Sequence, residues 1–249
     1  MQLVAGWIGL GLVAFVALQF VDAPYGKQYG ARTARAWGPG VPNRLGWFVM
    51  EAVVLVSFFG TFATMNAAWS SPTLLFAALL TAHYVNRALI YPWRTRTRGK
   101  RMPLSVVLMS VVFNTMNGFL LGWEFALYAD RGLSWFADPR FVLGALLFVG
   151  GMALNLHSDN LLIGLRKGGD TGYHVPRGGG FRWVSSPNLL GEIVEWAGFA
   201  LLTWTWSGLA FFVWTCANLV PRARANHRWY RERFADYPPE RRALVPGIW

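Results

Sequence analysis

The sequence predicts an all-α, multi-pass membrane protein with seven transmembrane helices. Two observations predict it. Hydrophobic residues make up 54% of the chain and charged residues only 14%, against about 25% charged in an average soluble domain. The apolar residues also gather into runs near the length that crosses about 30 Å of hydrocarbon.

The runs are 3–21, 47–65, 72–91, 104–121, 140–158, 187–204 and 206–220. The first has no basic residue ahead of it, and Val21-Asp22-Ala23-Pro24 is a poor cleavage site, so it reads as a span rather than a signal peptide. The last two are separated only by Ser207 and its neighbours. Ser186-Pro187 opens the sixth with an N-cap serine and a proline at the first helical position.

Loop charge gives the orientation. Residues 22–46 carry Lys27, Arg32, Arg35 and Arg44 against Asp22, and 66–71 carry no charge. Residues 92–103 carry Arg94, Arg96, Arg98, Lys100 and Arg101 with no acid. Residues 122–139 carry Glu124, Asp130 and Asp138 against Arg131. Residues 159–186 are basic again, and seven arginines follow Val220. By the positive-inside rule the N-terminus is outside and the C-terminus cytoplasmic. The expected location is an integral membrane one: the inner membrane of a bacterium or the endoplasmic reticulum of a eukaryote.

The net charge of +11 is explained by topogenic charge and contact with anionic membrane lipid rather than by nucleic acid. A basic cytoplasmic mouth also attracts a phosphate-bearing cofactor. Cys216 is the only cysteine and the four histidines (83, 157, 174, 227) show no paired ligand spacing, so neither a disulfide nor a metal site is expected. No obligate protein partner is evident. There is no internal repeat, no Walker loop and no strand-glycine-helix dinucleotide fingerprint, and the Gly178-Gly179-Gly180 run is a weak signal by itself. One membrane domain over 1–249 is expected.

Polar residues inside these apolar runs carry the functional signal. A charged group near mid-membrane costs roughly 2.5–3.5 kcal/mol on insertion scales and usually serves function. Asn155, Asp159 and Arg166 are spaced i, i+4 and i+11, within about 40° of one another on a helix. Asn188, Glu192 and Glu195 are spaced i, i+4 and i+7, again one stripe. Helix-helix hydrogen bonds and a polar ligand pocket are both compatible with two such stripes. Tyr84, Arg87 and Tyr91 fall at i, i+3 and i+7, one face of the third span. Glu51 sits inside the second.

The order of motifs in 155–246 resembles the steroid 5α-reductase family. It runs from Asn155-Leu156-His157-Ser158-Asp159 through Gly172-Tyr173-His174-Val175-Pro176 to Ser186-Pro187-Asn188-Leu189-Leu190-Gly191-Glu192. It continues with Pro221-Arg222-Ala223, His227-Arg228-Trp229-Tyr230 and Tyr237-Pro238. The amino-terminal half agrees at Glu51 and at His83-Tyr84-Val85-Asn86-Arg87 with Tyr91. The resemblance implies a seven-helix, NADPH-dependent reductase of the conjugated double bond of 3-oxo-Δ4 steroids or a similar lipid enone. Residues 1–121 would lie mainly on the steroid side and 122–249 mainly on the cofactor side. Rivals are reduction of a polyprenol, enoyl thioester or sterol double bond, a non-catalytic sterol-binding protein, and a methyltransferase of related architecture, which these motifs fit poorly.

The resemblance implies Glu51 and Tyr84 as catalytic residues. It implies Asn155, Asp159, Arg166, Tyr173, Asn188, Glu192, Arg222 and Tyr230 around NADPH. Arg87 and Tyr91 nearer the cytoplasm are expected to meet the cofactor, with Arg98 as a phosphate partner. There are departures from the pattern. Met50 stands where animal members have Gln before the span-two Glu, Asn86 where His is common, and Asn226 in a stretch that is His-rich in relatives. The chain ends Pro246-Gly247-Ile248-Trp249, where Phe often follows the Pro.

Overall fold

The computed structural model describes residues 1–21, 26, 36–65, 68–97, 99–128, 131–166 and 172–249. Among them the chain is all-helical apart from one two-stranded ladder and an isolated bridge between Val184 and Arg242. In order the elements are α1 (Gln2–Ala17), β1 (Gly40–Pro42), α2 (Asn43–Thr64), α3 (Ser71–Tyr84), a π-helical turn (Val85–Ile90) and α4 (Tyr91–Arg94). Then come β2 (Arg101–Pro103), α5 (Leu104–Tyr128), a 3-10 turn (Leu133–Ala137) and α6 (Pro139–Gly164). A second 3-10 turn (Gly179–Arg182), α7 (Pro187–Thr203) and α8 (Trp206–Arg233) complete it. Four stretches, Asn43–Thr64, Ser71–Arg94, Leu104–Leu127 and Pro139–Gly164, are long and apolar enough to cross a membrane, and α1 is a shorter apolar helix.

The chain packs as two compact units. The first comprises Pro24–Val142 with Thr203–Gly208, the second Met1–Ala23, Leu143–Leu202 and Leu209–Trp249.

In the first unit α2 and α5 start side by side because the strands preceding them pair antiparallel. Gly40 lies opposite Pro103 and Pro42 opposite Arg101. Asn43 N–H then donates to Lys100 O at 3.1 Å and Leu104 N–H to Pro39 O at 2.8 Å, so both helix starts are tied to the ladder. Farther along, α5 presents glycine to α2. A Cβ on Gly118 would sit 2.8 Å from Ser57 Cβ, and one on Gly122 would sit 2.6 Å from Phe58 O. Ser57 Oγ crosses the seam to Thr115 O at 2.7 Å. Helix α3 is set by Ser70, whose Oγ accepts Thr73 N–H at 3.3 Å, with proline in the first turn.

Glu124 corrects the sequence-based loop boundary. It was expected among the charges of a loop over 122–139, yet α5 continues to Tyr128 and Glu124 is buried. Its carboxylate accepts Trp206 N–H at 3.0 Å and Ser207 N–H at 2.5 Å. Those are two of the N–H groups that the start of α8 leaves without intrahelical partners. The two-residue connector before them holds Trp204 at φ +47°, a left-handed conformation rare for a bulky residue.

In the second unit α6 and α7 cross antiparallel through glycines spaced by seven on each helix: Gly144 and Gly151, Gly191 and Gly198. A Cβ on Gly144 would meet Leu202 N at 2.5 Å, and one on Gly191 would meet Asn155 N at 2.5 Å. The backbones therefore approach as closely as hydrogen side chains permit. Around this seam Trp196, Phe199, Phe148 and Phe211 form the aromatic core, with the Trp196 and Phe211 rings 4.1 Å apart. Trp214 Nε1 donates to Trp7 O at 2.9 Å and fastens α1 to α8.

Candidate functional site

The close crossing of α6 and α7 brings their two polar stripes face to face. Asn155 Nδ2 donates to Asn188 O at 2.9 Å, and Asn188 Nδ2 donates to Asp159 Oδ1 at 3.0 Å. Asn155 and Asp159 are 2% and 3% exposed, so these bonds lie in the interior, where buried polar groups need partners. Glu192 is one turn beyond Asn188 and half-buried, while Glu195 is fully buried. Pro187 is the first residue of α7, which puts Asn188 and Glu192 in its first two turns.

Arg166 does not extend the α6 stripe as its spacing suggested. The helix ends at Gly164, so Arg166 is positioned by the following loop. Its Nε donates to Gly172 O at 3.1 Å, its guanidinium lies 5.0 Å from the Tyr173 ring, and it hydrogen-bonds the Tyr173 hydroxyl. Tyr173 packs edge-on to Trp229 at 5.2 Å and Trp229 to Tyr230 at 5.3 Å. Tyr230 stacks on Tyr237 with ring planes 8° apart. Burial raises the pKa of Tyr173 above the usual phenol value, with Arg166 and Arg222 pulling the other way. Burial, reinforced by Tyr237, raises that of Tyr230. Both hydroxyls are thus protonated donors at neutral pH. The structure groups Arg166, Tyr173, Arg222 and Tyr230, while Arg98 lies outside the described residues.

The first unit carries Glu51, Tyr84, Arg87 and Tyr91. Glu51 is thirteen residues before the end of α2 at Thr64 and Tyr84 thirteen after the start of α3 at Ser71. At about 1.5 Å per residue each is roughly 20 Å from the connected ends. Tyr84 is 3% exposed and packs edge-on to His83 at 5.0 Å. Between Tyr84 and Tyr91 the helix widens into the π turn, with Tyr91 N–H bonded to Asn86 O. A π turn takes one residue more than an α turn. Tyr91 is therefore rotated by about one residue, roughly 100°, from the single face that i, i+3, i+7 spacing gives. Arg87 lies in the widened turn with its guanidinium 5.5 Å from the Trp47 ring and 5.0 Å from the Tyr91 ring. These two rings meet edge-on at 6.1 Å.

Two groups escaped sequence reasoning. Trp47 is one, although its position a turn before Glu51 was a usable signal. The other is centred on Ser185, which precedes α7. Its Oγ donates to Arg242 O at 3.1 Å and lies 2.6 Å from both Tyr237 Oη and His227 Nδ1. Ser185 Oγ is thus the common hydrogen-bond partner of Tyr237, His227 and the Arg242 carbonyl. Ser185 N–H also donates to Arg242 O at 2.8 Å. The carboxyl-terminal segment is thereby clasped to α8 and to the start of α7, beside Tyr230. Asn226, on the same turn of α8, donates to Ser186 Oγ at 3.4 Å.

Comparison with known proteins decides the family. A family profile described as 3-oxo-5-alpha-steroid 4-dehydrogenase matches residues 100–249. The chain is 42% identical to a steroid 5-alpha-reductase DET2 of Gossypium hirsutum over 250 residues, covering 96% of this chain and 93% of that protein. It is 40% identical to 3-oxo-5-alpha-steroid 4-dehydrogenase 1 of Bos taurus, with the same coverage of 96% and 93%. The chain belongs to the steroid 5-alpha-reductase family. Similarity to the Homo sapiens type 1 protein, 40% over 88% of this chain, extends that relationship to a further mammal. Because the plant and bovine relatives align over almost the whole chain, family membership takes in the first unit with Glu51 and Tyr84 as well as the segment that the profile matches.

Proposed function

We propose that this family member is an integral membrane reductase that converts 3-oxo-Δ4 steroids to 5α-steroids with NADPH. The observation that carries the reading is identity of 40–42% over nearly the full chain to proteins named for that reaction in plants and mammals. We further propose seven spans, with the N-terminus outside and the C-terminus cytoplasmic. Labelling of cysteines introduced at Lys100 and Arg182, after removal of Cys216, tests this, and outer-face labelling at either position would overturn it.

Reducing an enone moves the electron pair of the C=C toward the carbonyl oxygen as the β-carbon gains hydride. A donor held at that oxygen lowers the barrier because it meets the charge where it develops. In this reading Tyr84 donates its hydroxyl to the carbonyl, and Glu51 orients that hydroxyl or donates as a neutral acid. An ionised Glu51 would repel the forming enolate, so direct donation requires the neutral acid.

The polar and cationic side chains of the second unit support the cofactor part of this reading. Asn188 and Glu192 offer amide and carboxylate contacts, Asp159 and Asn155 brace Asn188, and Tyr173 and Tyr230 offer phenolic donors between Arg166 and Arg222. A guanidinium with an aromatic neighbour suits a phosphate better than lysine would. When bound, NADPH supplies the hydride; the residues named here bind and orient it. The test is a substrate panel with purified protein and NADPH: a 3-oxo-Δ4 steroid, a polyprenol, an enoyl thioester and a sterol. The highest kcat/KM is expected for the steroid enone, and a higher value for any of the other three would contradict the assignment.

A further inference from the structure

Asn114 lies in α5 and is 5% exposed. Its Nδ2 donates to the main-chain carbonyl of Met50 at 2.6 Å, across the seam between α2 and α5. Met50 is the residue before Glu51. Its side chain turns away from polar company, into an apolar cluster with Met102 and Val107. The only group position 50 presents to α5 as a hydrogen-bond acceptor is therefore its carbonyl, and Asn114 holds it.

The geometry leaves little freedom in this arrangement. The β1–β2 ladder fixes where α2 and α5 begin relative to one another. Ser57 Oγ to Thr115 O and the Gly118 and Gly122 contacts fix the next two turns. The Asn114 bond reaches the carbonyl of the residue that precedes Glu51. A helix carbonyl can accept a second hydrogen bond beside its intrahelical one, so this tie restrains α2 without breaking it.

Packing alone does not account for the residue. A leucine fills such a position without burying an amide, and a buried amide is costly unless its hydrogen bonds are made. Among the described residues the Asn114 side chain makes one hydrogen bond, through Nδ2, and its Oδ1 accepts none. One of this amide's two N–H donors holds the helices together, and its carbonyl oxygen takes no part.

We infer that Asn114 is a further positioning residue of the reduction: by holding the Met50 carbonyl it sets the rotation and depth at which Glu51 is presented to the enone. The inference rests on the proposed role of Glu51. It assigns the polar control of this site to α5, a helix without a candidate residue in the sequence analysis.

A double-mutant cycle with an activity-independent second readout tests it. Asn114→Ala is expected to lower kcat about tenfold with steroid KM within about twofold, yet to change kcat less than about twofold when added to Glu51→Gln, since residues acting through one another are not additive. Asn114→Leu, which keeps side-chain volume, should behave as Asn114→Ala does. Equal fold losses in both backgrounds, or a loss confined to KM, would overturn the inference. The infrared carboxyl band assigned to Glu51 by its disappearance in Glu51→Gln should shift in Asn114→Leu, and an unmoved band in the folded variant would overturn it whether or not the steroid is turned over. Wild-type turnover, measured alongside, reports separately on the proposed reaction.

Discussion

Asn188 stands between two residues of the neighbouring helix: its side-chain amide donates to Asp159 Oδ1 at 3.0 Å and its carbonyl accepts Asn155 Nδ2 at 2.9 Å. An asparagine held at both ends has one rotamer, and the face it turns to a ligand is fixed before binding. Such pre-organisation reduces the ordering cost of association.

Removing this bracket should act on the cofactor rather than the steroid. Asn188→Ala and Glu192→Ala are each expected to weaken NADPH binding by about tenfold or more, the scale of a hydrogen bond involving a charged group. Steroid affinity should change less. Fluorescence titration with NADPH and a steroid-binding assay measure both, and unchanged cofactor affinity in a folded variant would remove these residues from the site.

The bracket depends on glycine. A Cβ at Gly191 would collide with Asn155 N at 2.5 Å and Gly151 O at 2.7 Å, whereas one at Gly150 meets nothing within 4 Å. Gly191→Val is expected to cost about 1–3 kcal/mol of stability, as overpacking does, and to weaken NADPH binding as the helices separate. Gly150→Val should do neither. Thermal unfolding in detergent separates the two.

What the sequence disclosed follows from which features are local. The stripes of α6 and α7 were legible because helical periodicity alone puts Asn155 with Asp159 and Asn188 with Glu192. Arg166 was misplaced because helical phase was carried past Gly164, where the helix stops. The π turn at Val85–Ile90 has no composition signature, so Tyr91 was assigned to the face of Tyr84. Glu124 read as a loop charge because a buried carboxylate is explained only by the helix start that it caps, 82 residues away in sequence. The Ser185–His227–Tyr237 group likewise joins segments that no spacing rule relates.

That group makes stability depend on pH. Burial, with Arg231 and Arg242 adding to it, lowers the His227 pKa below its ordinary value of 6.5. The folded state thus favours neutral histidine. Its contribution is present above about pH 6.5 and is lost as pH falls through the lower folded value. The melting temperature of the wild type should drop between pH 7.5 and 5, and the drop should be smaller in His227→Gln. Parallel profiles for the two proteins would contradict this. Ser185→Ala, which removes the hydroxyl shared by Tyr237 and His227, should lower stability at both pH values.

The oxyanion role assigned to Tyr84 has a sharp consequence. Tyr84→Phe removes one hydroxyl and retains packing, so kcat should fall by about 10²–10³, the scale of losing one oxyanion donor. NADPH binding should persist. Glu51→Gln, which keeps hydrogen bonding and loses the acid, should also impair turnover. A well-folded Tyr84→Phe protein with near-wild-type kcat would require a different donor.

Reduction of a 3-oxo-Δ4 steroid by the purified wild-type protein, followed by chromatographic and mass-spectrometric identification of the product, tests the assigned reaction most directly. With NADPH, one 5α-reduced steroid is expected per NADPH oxidised, with kcat/KM for NADPH well above that for NADH. Absence of NADPH-dependent product, a 5β product, or equal use of NADH would contradict the assignment.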